Sequence, residues 1–357
     1  MSDHLLLRQW SAASLLLLLA MAACSTGPQE ADSSTGSTRS ASDPATPSTE
    51  ASQGVGDRSL GCDVTASAHG PHGTHVQHAV SSGETERSYA LYVPASYDGS
   101  ATPLVVDLHG YLSGGQIQAQ MSDLGTLADS AGFIVATPQG NGDMPYWNAT
   151  PESSLPDDVQ FVSDVIHEVS SAACIDPARV YVDGFSNGAF MASLIACRLS
   201  DQVAAVAAVS GLLYPADCAP SRPVPILAFH GTADEFVSAG GGPNAALDTL
   251  TWNADSRAAF AHLPFDDVTV AQREWSHQQG CDSTPDRQRT SPEIELIEYS
   301  GCDAGSTVQL YLVDGGGHTW PGSSLSEASE SLLGRTTNEL DASATIWEFF
   351  REHPMPR

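Results

Sequence analysis

The five residues Gly184-Phe185-Ser186-Asn187-Gly188 constrain the fold more than any other part of the chain. They follow an apolar run, Arg179-Val180-Tyr181-Val182-Asp183, and precede a helix-like stretch from Ala189 to Ala196. A strand, a sharp turn with Ser at its tip and a helix together present a serine hydroxyl as a nucleophile. The chain reverses so tightly there that side chains on either flank would collide, and Gly184 and Gly188 relieve the crowding. The helix beyond the turn aims its first amides at the point where negative charge develops. The same residues also suit a glycine-rich loop in which Ser caps a helix, so the rest of the chain has to decide.

A serine nucleophile needs a base and an acid. Asp234 ends Pro225-Ile226-Leu227-Ala228-Phe229-His230-Gly231-Thr232-Ala233-Asp234, just past a short buried-strand pattern. His318 lies in Gly315-Gly316-Gly317-His318-Thr319-Trp320-Pro321-Gly322, after the strand-like run Val308–Val313. In an open α/β sheet, functional groups gather at the carboxyl ends of strands, and all three residues fall at such ends. Imidazole titrates near neutrality and can take the Ser186 proton, while Asp234 would hold the correct tautomer. The order Ser, Asp, His is that of the α/β-hydrolase arrangement. The expected class is therefore α/β, with an α/β-hydrolase fold and a mostly parallel sheet covered by helices on both faces. Asp234 also suits a plain turn, with Asp266 or Asp267 as rival acids, and His318 suits a structural loop.

An oxyanion hole requires two backbone N–H groups aimed at one point. One is expected from Asn187, next to the nucleophile. The other is expected from Tyr111, in the loop after the strand pattern Pro103–His109; His109 itself reads as a residue shaping that loop. Trp147 and Trp320 are expected to line a substrate pocket, since indoles offer flat apolar walls with one polar handle.

Further strands are expected at Ser88–Pro94, Phe133–Thr137, Ala204–Ser210, Pro225–His230 and Ile294–Tyr299. Helices are expected at Gln116–Ala131, from Asp157-Asp158 to Ala173, at Val268–Gln279 and at Ala342–Arg351. His69, His72, His75 and His78 recur every third residue, but Gly70, Pro71 and Gly73 break any helix that would align the first of them. That stretch reads as a polar surface segment, and no metal or organic cofactor is expected.

Residues 1–23 read as a secretory signal, and Met21-Ala22-Ala23-Cys24 resembles a bacterial lipobox, with Cys24 lipidated. An ordinary signal peptide cut nearby is the alternative. Residues 24–60 are rich in Ser, Thr, Pro and Gly and read as a disordered tether, because they hold too few large apolar groups to offset ordering. Residues 61–357 suit one α/β domain. The expected location is outside the cytoplasm, lipid-anchored to the cell membrane. A net charge of −29, with every basic residue an Arg, disfavours nucleic acid and anionic lipid surfaces, leaving membrane contact to the N-terminal lipid. Six cysteines remain, an even number that suggests disulfides in an exported protein. Cys281 and Cys302 flank a loop and are expected to pair; the pairing of Cys62, Cys174, Cys197 and Cys218 stays open.

Pro103–Gly110, the Ser186 turn, His230–Asp234 and Gly315–Gly322 together resemble the polyhydroxybutyrate depolymerase family of esterases, over roughly Arg87 to Phe350. That family also includes feruloyl and acetylxylan esterases, and actinobacterial lipoproteins with this signal-plus-tether layout. The resemblance implies Ser186, Asp234 and His318 as nucleophile, acid and base, with Asp157-Asp158-Val159 as structural support beside the site. The expectation is a secreted serine esterase acting on feruloyl or acetyl esters of polysaccharide, or on short hydroxyalkanoate esters. The partner is then a small or oligomeric ester. A cell-envelope acyltransferase on the same scaffold and a non-catalytic surface binding protein are the rival readings.

Overall fold

Short runs of uninterrupted apolar residues are what a strand buried on both faces requires, and they build the centre of this molecule. The computed structural model describes residues 59–63, 70–150, 152–242, 244 and 246–357. In chain order the first elements are β1 (His75–Ser82), β2 (Thr85–Tyr92), β3 (Thr102–Leu108), α1 (Gly115–Ser122), α2 (Leu124–Ala131) and β4 (Ile134–Pro138). Then come α3 (Asp158–Ala172), β5 (Ile175–Phe185), α4 (Asn187–Arg198), β6 (Ala205–Val209) and β7 (Ile226–Gly231). The remainder is α5 (Ala254–Phe260), α6 (Val268–Gln278), β8 (Asp286–Arg289), β9 (Ile294–Tyr299), β10 (Val308–Val313), α7 (Ser324–Ala328), α8 (Glu330–Leu333) and α9 (Ala342–Glu352).

The strands form one sheet in the order β1-β2-β4-β3-β5-β6-β7-β10-β9-β8. The six central strands, β4 to β10 in that order, run parallel, and the edge pairs on both sides are antiparallel. Side chains alternate between the faces, as the pleat demands. Leu104, Val106, Val182, Val206 and Ile226 face a core shared with α3, α4 and α6. Val105, Tyr181, Ala207 and Phe229 face a second core shared with α1, α2 and α9. There Tyr181 stacks on Phe350, ring centroids 4.7 Å apart.

Several expectations change. The run Gln116–Ala131 is two helices, because Asp123 takes a left-handed conformation (φ 48) and ends the first. His75 and His78 belong to β1, an unexpected edge strand whose residues are largely exposed at its beginning; His69 lies outside the described residues, as do Cys24, the signal segment and most of the tether. α3 begins where expected, with the Asp157 carboxylate accepting from the Gln160 amide.

Three disulfides close the described domain: Cys62–Cys174, Cys197–Cys218 and the expected Cys281–Cys302. The first spans 112 residues, and in the chain-entropy treatment a loop of that size is worth roughly 4–5 kcal/mol. It holds the short helical turn Leu60–Asp63 against the start of β5. Ser59 reinforces the contact, its hydroxyl donating to the Ala173 carbonyl and accepting from the Ile175 amide.

Candidate active site

β5 delivers Ser186 at its carboxyl end, and α4 begins with the next residue. Ser186 sits at φ 55 and ψ −116, a conformation side-chain-bearing residues rarely adopt. The turn is held by the Ser186 amide donating to the Val209 carbonyl at 2.8 Å. A Cβ on Gly184 would come within 2.3 Å of the Gly188 carbonyl oxygen, and one on Gly188 within 2.2 Å of the Leu108 carbonyl oxygen. Both positions therefore exclude any larger residue, which is the crowding expected at the elbow. Beneath the turn, Asp107 on β3 and Asp183 on β5 lie in register and fully buried. Gln118 and Ser122 donate to Asp107. Burial and the neighbouring Asp107 charge push the Asp183 carboxyl well above its usual range.

Asp234 lies just past β7 and His318 just past β10, and these two strands pair directly. The His318 Nδ1–H donates to Asp234 Oδ2 at 2.7 Å, with each residue only 5% exposed. The other carboxylate oxygen accepts the amides of Phe236 and Val237, both at 2.8 Å. Burial alone would raise the Asp234 pKa, but the His318 charge and hydrogen bond, helped by His230 and the Val237 amide, hold it below the usual carboxylate range. The rivals have other roles or positions: Asp267 caps α6 through the Thr269 amide, and Asp266 is exposed.

The His318 ring packs on Phe185, the neighbour of Ser186, with centroids 4.9 Å apart, and on Phe236 at 5.3 Å. The structure thus joins Asp234 to His318 directly and brings His318 against the Ser186 turn. Among the described residues no hydrogen bond links Ser186 Oγ to His318 Nε2. Such contacts are commonly long in ligand-free sites and tighten when substrate binds.

The loop after β3 packs over the same turn, where a Cβ on Gly110 would touch Ser186 Cβ at 3.3 Å. The amides of Tyr111 and Asn187 donate to no acceptor among the described residues. His109 is buried with both ring nitrogens engaged: Nδ1–H donates to the Gly110 carbonyl, and Nε2 accepts the Gly140 amide. Burial lowers its pKa to about 4, so it stays neutral and shapes the loop. The Asn187 side chain is also buried, bonding the backbone of Trp147 through both its oxygen and its nitrogen.

Trp147 is sealed in the interior, and Trp320 borders a cleft with Met121, Ser323 and Asp341 rather than with Ser186. The two indoles are 0% and 1% exposed. Each turns its polar handle inward, Trp147 Nε1 to the His109 carbonyl and Trp320 Nε1 to Ser343 Oγ. They support the site from behind. The exposed aromatic faces belong to other residues: Tyr111 stacks on Trp252 at 4.6 Å, and Phe260 contacts both. All three are half-buried. The sequence carries no periodic signal for this group, because Tyr111 and Trp252 come from segments far apart in the chain. His230 was also missed. Its Nε2 lies 3.6 Å from Asp234 Oδ2 and bonds the Val237 carbonyl, bracing the acid loop. Its place four residues before Asp234, at the strand end, was the available signal. Asp158 holds Arg87 at 2.7 Å and accepts the Asn148 amide, anchoring the Trp147 loop as the Asp157-Asp158 motif implied.

Comparisons with known proteins point to esterases. The family model described as "Esterase PHB depolymerase" matches residues 87–227. The chain is 32% identical over 296 residues to a putative esterase, NocK, of Nocardia uniformis subsp. tsuyamanensis, covering 77% of this chain and 82% of that one. It is 31% identical over 240 residues to feruloyl esterase B of Piromyces equi, covering 65% of this chain but 42% of that longer protein. Among solved structures it resembles an acetyl xylan esterase from Aspergillus awamori, with a TM-score of 0.51 and 18% identity over 72% of this chain and 98% of the other. That likeness establishes the shared α/β-hydrolase fold.

Proposed function

We propose, on the premise that this chain belongs to the esterase PHB depolymerase family, that it hydrolyses carboxylic esters through an acyl-enzyme on Ser186. The observation that carries this reading is the 2.7 Å bond from His318 Nδ1 to Asp234. It fixes the imidazole tautomer that leaves Nε2 free to accept a proton. Ser186 Oγ attacks the ester carbonyl carbon as its proton passes to His318 Nε2. The oxyanion forms between the unpaired amides of Asn187 and Tyr111, where fixed dipoles meet developing charge. The C–O bond breaks, and the alcohol leaves with the proton from His318. Water, activated by the same nitrogen, then releases the acid and restores Ser186.

The substrates proposed are feruloyl or acetyl esters of polysaccharide, or short hydroxyalkanoate esters. Relatives named for feruloyl ester and acetyl xylan chemistry support the first two, and a poly(3-hydroxyalkanoate) depolymerase relative supports the third. A panel of methyl ferulate, acetylated xylan, p-nitrophenyl acetate and hydroxybutyrate oligomers tests this. Free acid should appear from at least one, and none being turned over would overturn the reading.

Three disulfides suit an oxidising compartment outside the cytoplasm. We further propose attachment to the cell membrane through lipid on Cys24, supported by the apolar run and small residues before it. Cys24→Ser should move the protein from the membrane fraction to the soluble one; retention on the membrane would refute the anchor.

A further inference from the structure

The loop after β3 carries a strain that needs an external support. Leu112, directly after Tyr111, has φ 67, a left-handed conformation that costs a branched residue roughly 1–2 kcal/mol. Such a backbone persists only where its surroundings over-determine it. The Leu112 amide donates to the Pro145 carbonyl of the loop after β4 at 2.9 Å, and within the loop Ser113 Oγ donates to the Gly110 carbonyl at 3.1 Å. Neither bond holds Tyr111 itself.

Tyr111 is held from outside, through its side chain. Its hydroxyl lies 2.7 Å from the Thr251 carbonyl and 2.9 Å from Ser256 Oγ. Its ring stacks on Trp252, with planes 14° apart, and meets Phe260 at 5.1 Å. Ser256 is itself immobilised. It is fully buried, and it forms the reciprocal capping box of α5 with Asn253, through Asn253 Oδ1 to the Ser256 amide and Ser256 Oγ to the Asn253 amide. A side chain fixed at both ring and hydroxyl leaves its own Cα, and so its own amide plane, little freedom.

We propose that Tyr111 is a positioning residue whose hydroxyl, held by Ser256 and the Thr251 carbonyl, sets the aim of its own backbone N–H at the reacting ester oxygen. This rests on the ester-hydrolysis reading above. The segment bearing Trp252, Ser256 and Phe260 thereby acts as a clamp on the oxyanion loop, and α5 contributes to the rate without touching the substrate.

Tyr111→Phe keeps the stacked ring and removes only the hydroxyl, so far-ultraviolet circular dichroism should be unchanged. Losing a whole oxyanion donor costs about 10²–10³ in kcat, and loosening one should cost about tenfold. KM for p-nitrophenyl acetate should change less than about twofold, because the interaction develops only in the transition state. The inhibition constant of a trifluoromethyl ketone, which adds to the serine as a tetrahedral mimic, should rise in step with the loss of kcat. Ser256→Ala should reproduce these changes, and the double variant should add little to either single one. An unchanged kcat, a rise confined to KM, or losses that multiply in the double variant would each overturn the positioning role. Turnover surviving in Ser186→Ala would instead remove the parent reading, so the two failures are told apart.

Discussion

Ser186→Ala should lower kcat for p-nitrophenyl acetate by at least about 10³-fold while the protein remains folded. The expectation follows from what the hydroxyl alone supplies. Without Oγ no acyl-enzyme forms, and the residual rate comes from the oxyanion donors and binding acting on water. The fold should tolerate the change, because the turn is held by the Ser186 amide and by the crossing of Gly184 and Gly188, none of which involves the hydroxyl. Ala at φ 55 is no more strained than Ser. The thermal midpoint should therefore stay within a few degrees of the parent. Unchanged turnover in a folded variant would discard Ser186 as the nucleophile.

Asp234→Asn should cost on the order of 10⁴ in kcat, with a smaller effect on folding. The Asn carbonyl oxygen can still accept the Phe236 and Val237 amides that now meet Oδ1. Its amide nitrogen would then face His318 Nδ1 and demand an acceptor there. The imidazole would carry its proton on Nε2, pointing a donor at the Ser186 turn where an acceptor is needed. The pH dependence of stability has a definite sign. The folded-state pKa of Asp234 is lowered, so its contribution is present above the ordinary Asp value of about 4 and is lost as pH falls through the folded value. The gap in thermal midpoint between parent and variant should thus narrow in acid. A gap that widened with acidity, or a kcat within about tenfold of the parent at neutral pH, would remove Asp234 from this role.

Legibility in the sequence followed the reach of each interaction. The elbow was readable because its steric demand is local: Gly184 and Gly188 stand two residues either side of Ser186. Asp234 and His318 were readable because each follows an apolar strand, and parallel strands place their carboxyl ends together. The Cys281–Cys302 bridge joins residues 21 apart around the β8–β9 hairpin, whereas Cys62–Cys174 joins segments whose proximity only the finished sheet creates. β1 escaped notice because His75-Val76-Gln77-His78 lies at a solvated edge and carries little of the apolar signature of a buried strand. The break at Asp123 has no Gly or Pro to mark it. The indoles misled for a different reason: Trp147 and Trp320 sit beside the motifs but point into the core. The aromatic residues that do reach the surface near the loop, Tyr111 and Trp252, are brought together only by tertiary folding.

The pairing of β7 with β10 has an evolutionary consequence. The Thr232 amide donates to Val313, and the Ala233 amide to Gly316, so the acid and the imidazole are riveted to one another at the strand ends. The stretch with Trp252 and Phe260 is an excursion whose two ends are moored to each other, the Val268 amide donating to the Ala239 carbonyl and the Gly242 amide to the Phe265 carbonyl. Apart from the residues that grip Tyr111, its length and side chains can drift among descendants without pulling Asp234 and His318 out of line. Lineages built on this plan could remodel that excursion while the contact between Asp234 and His318 is inherited intact.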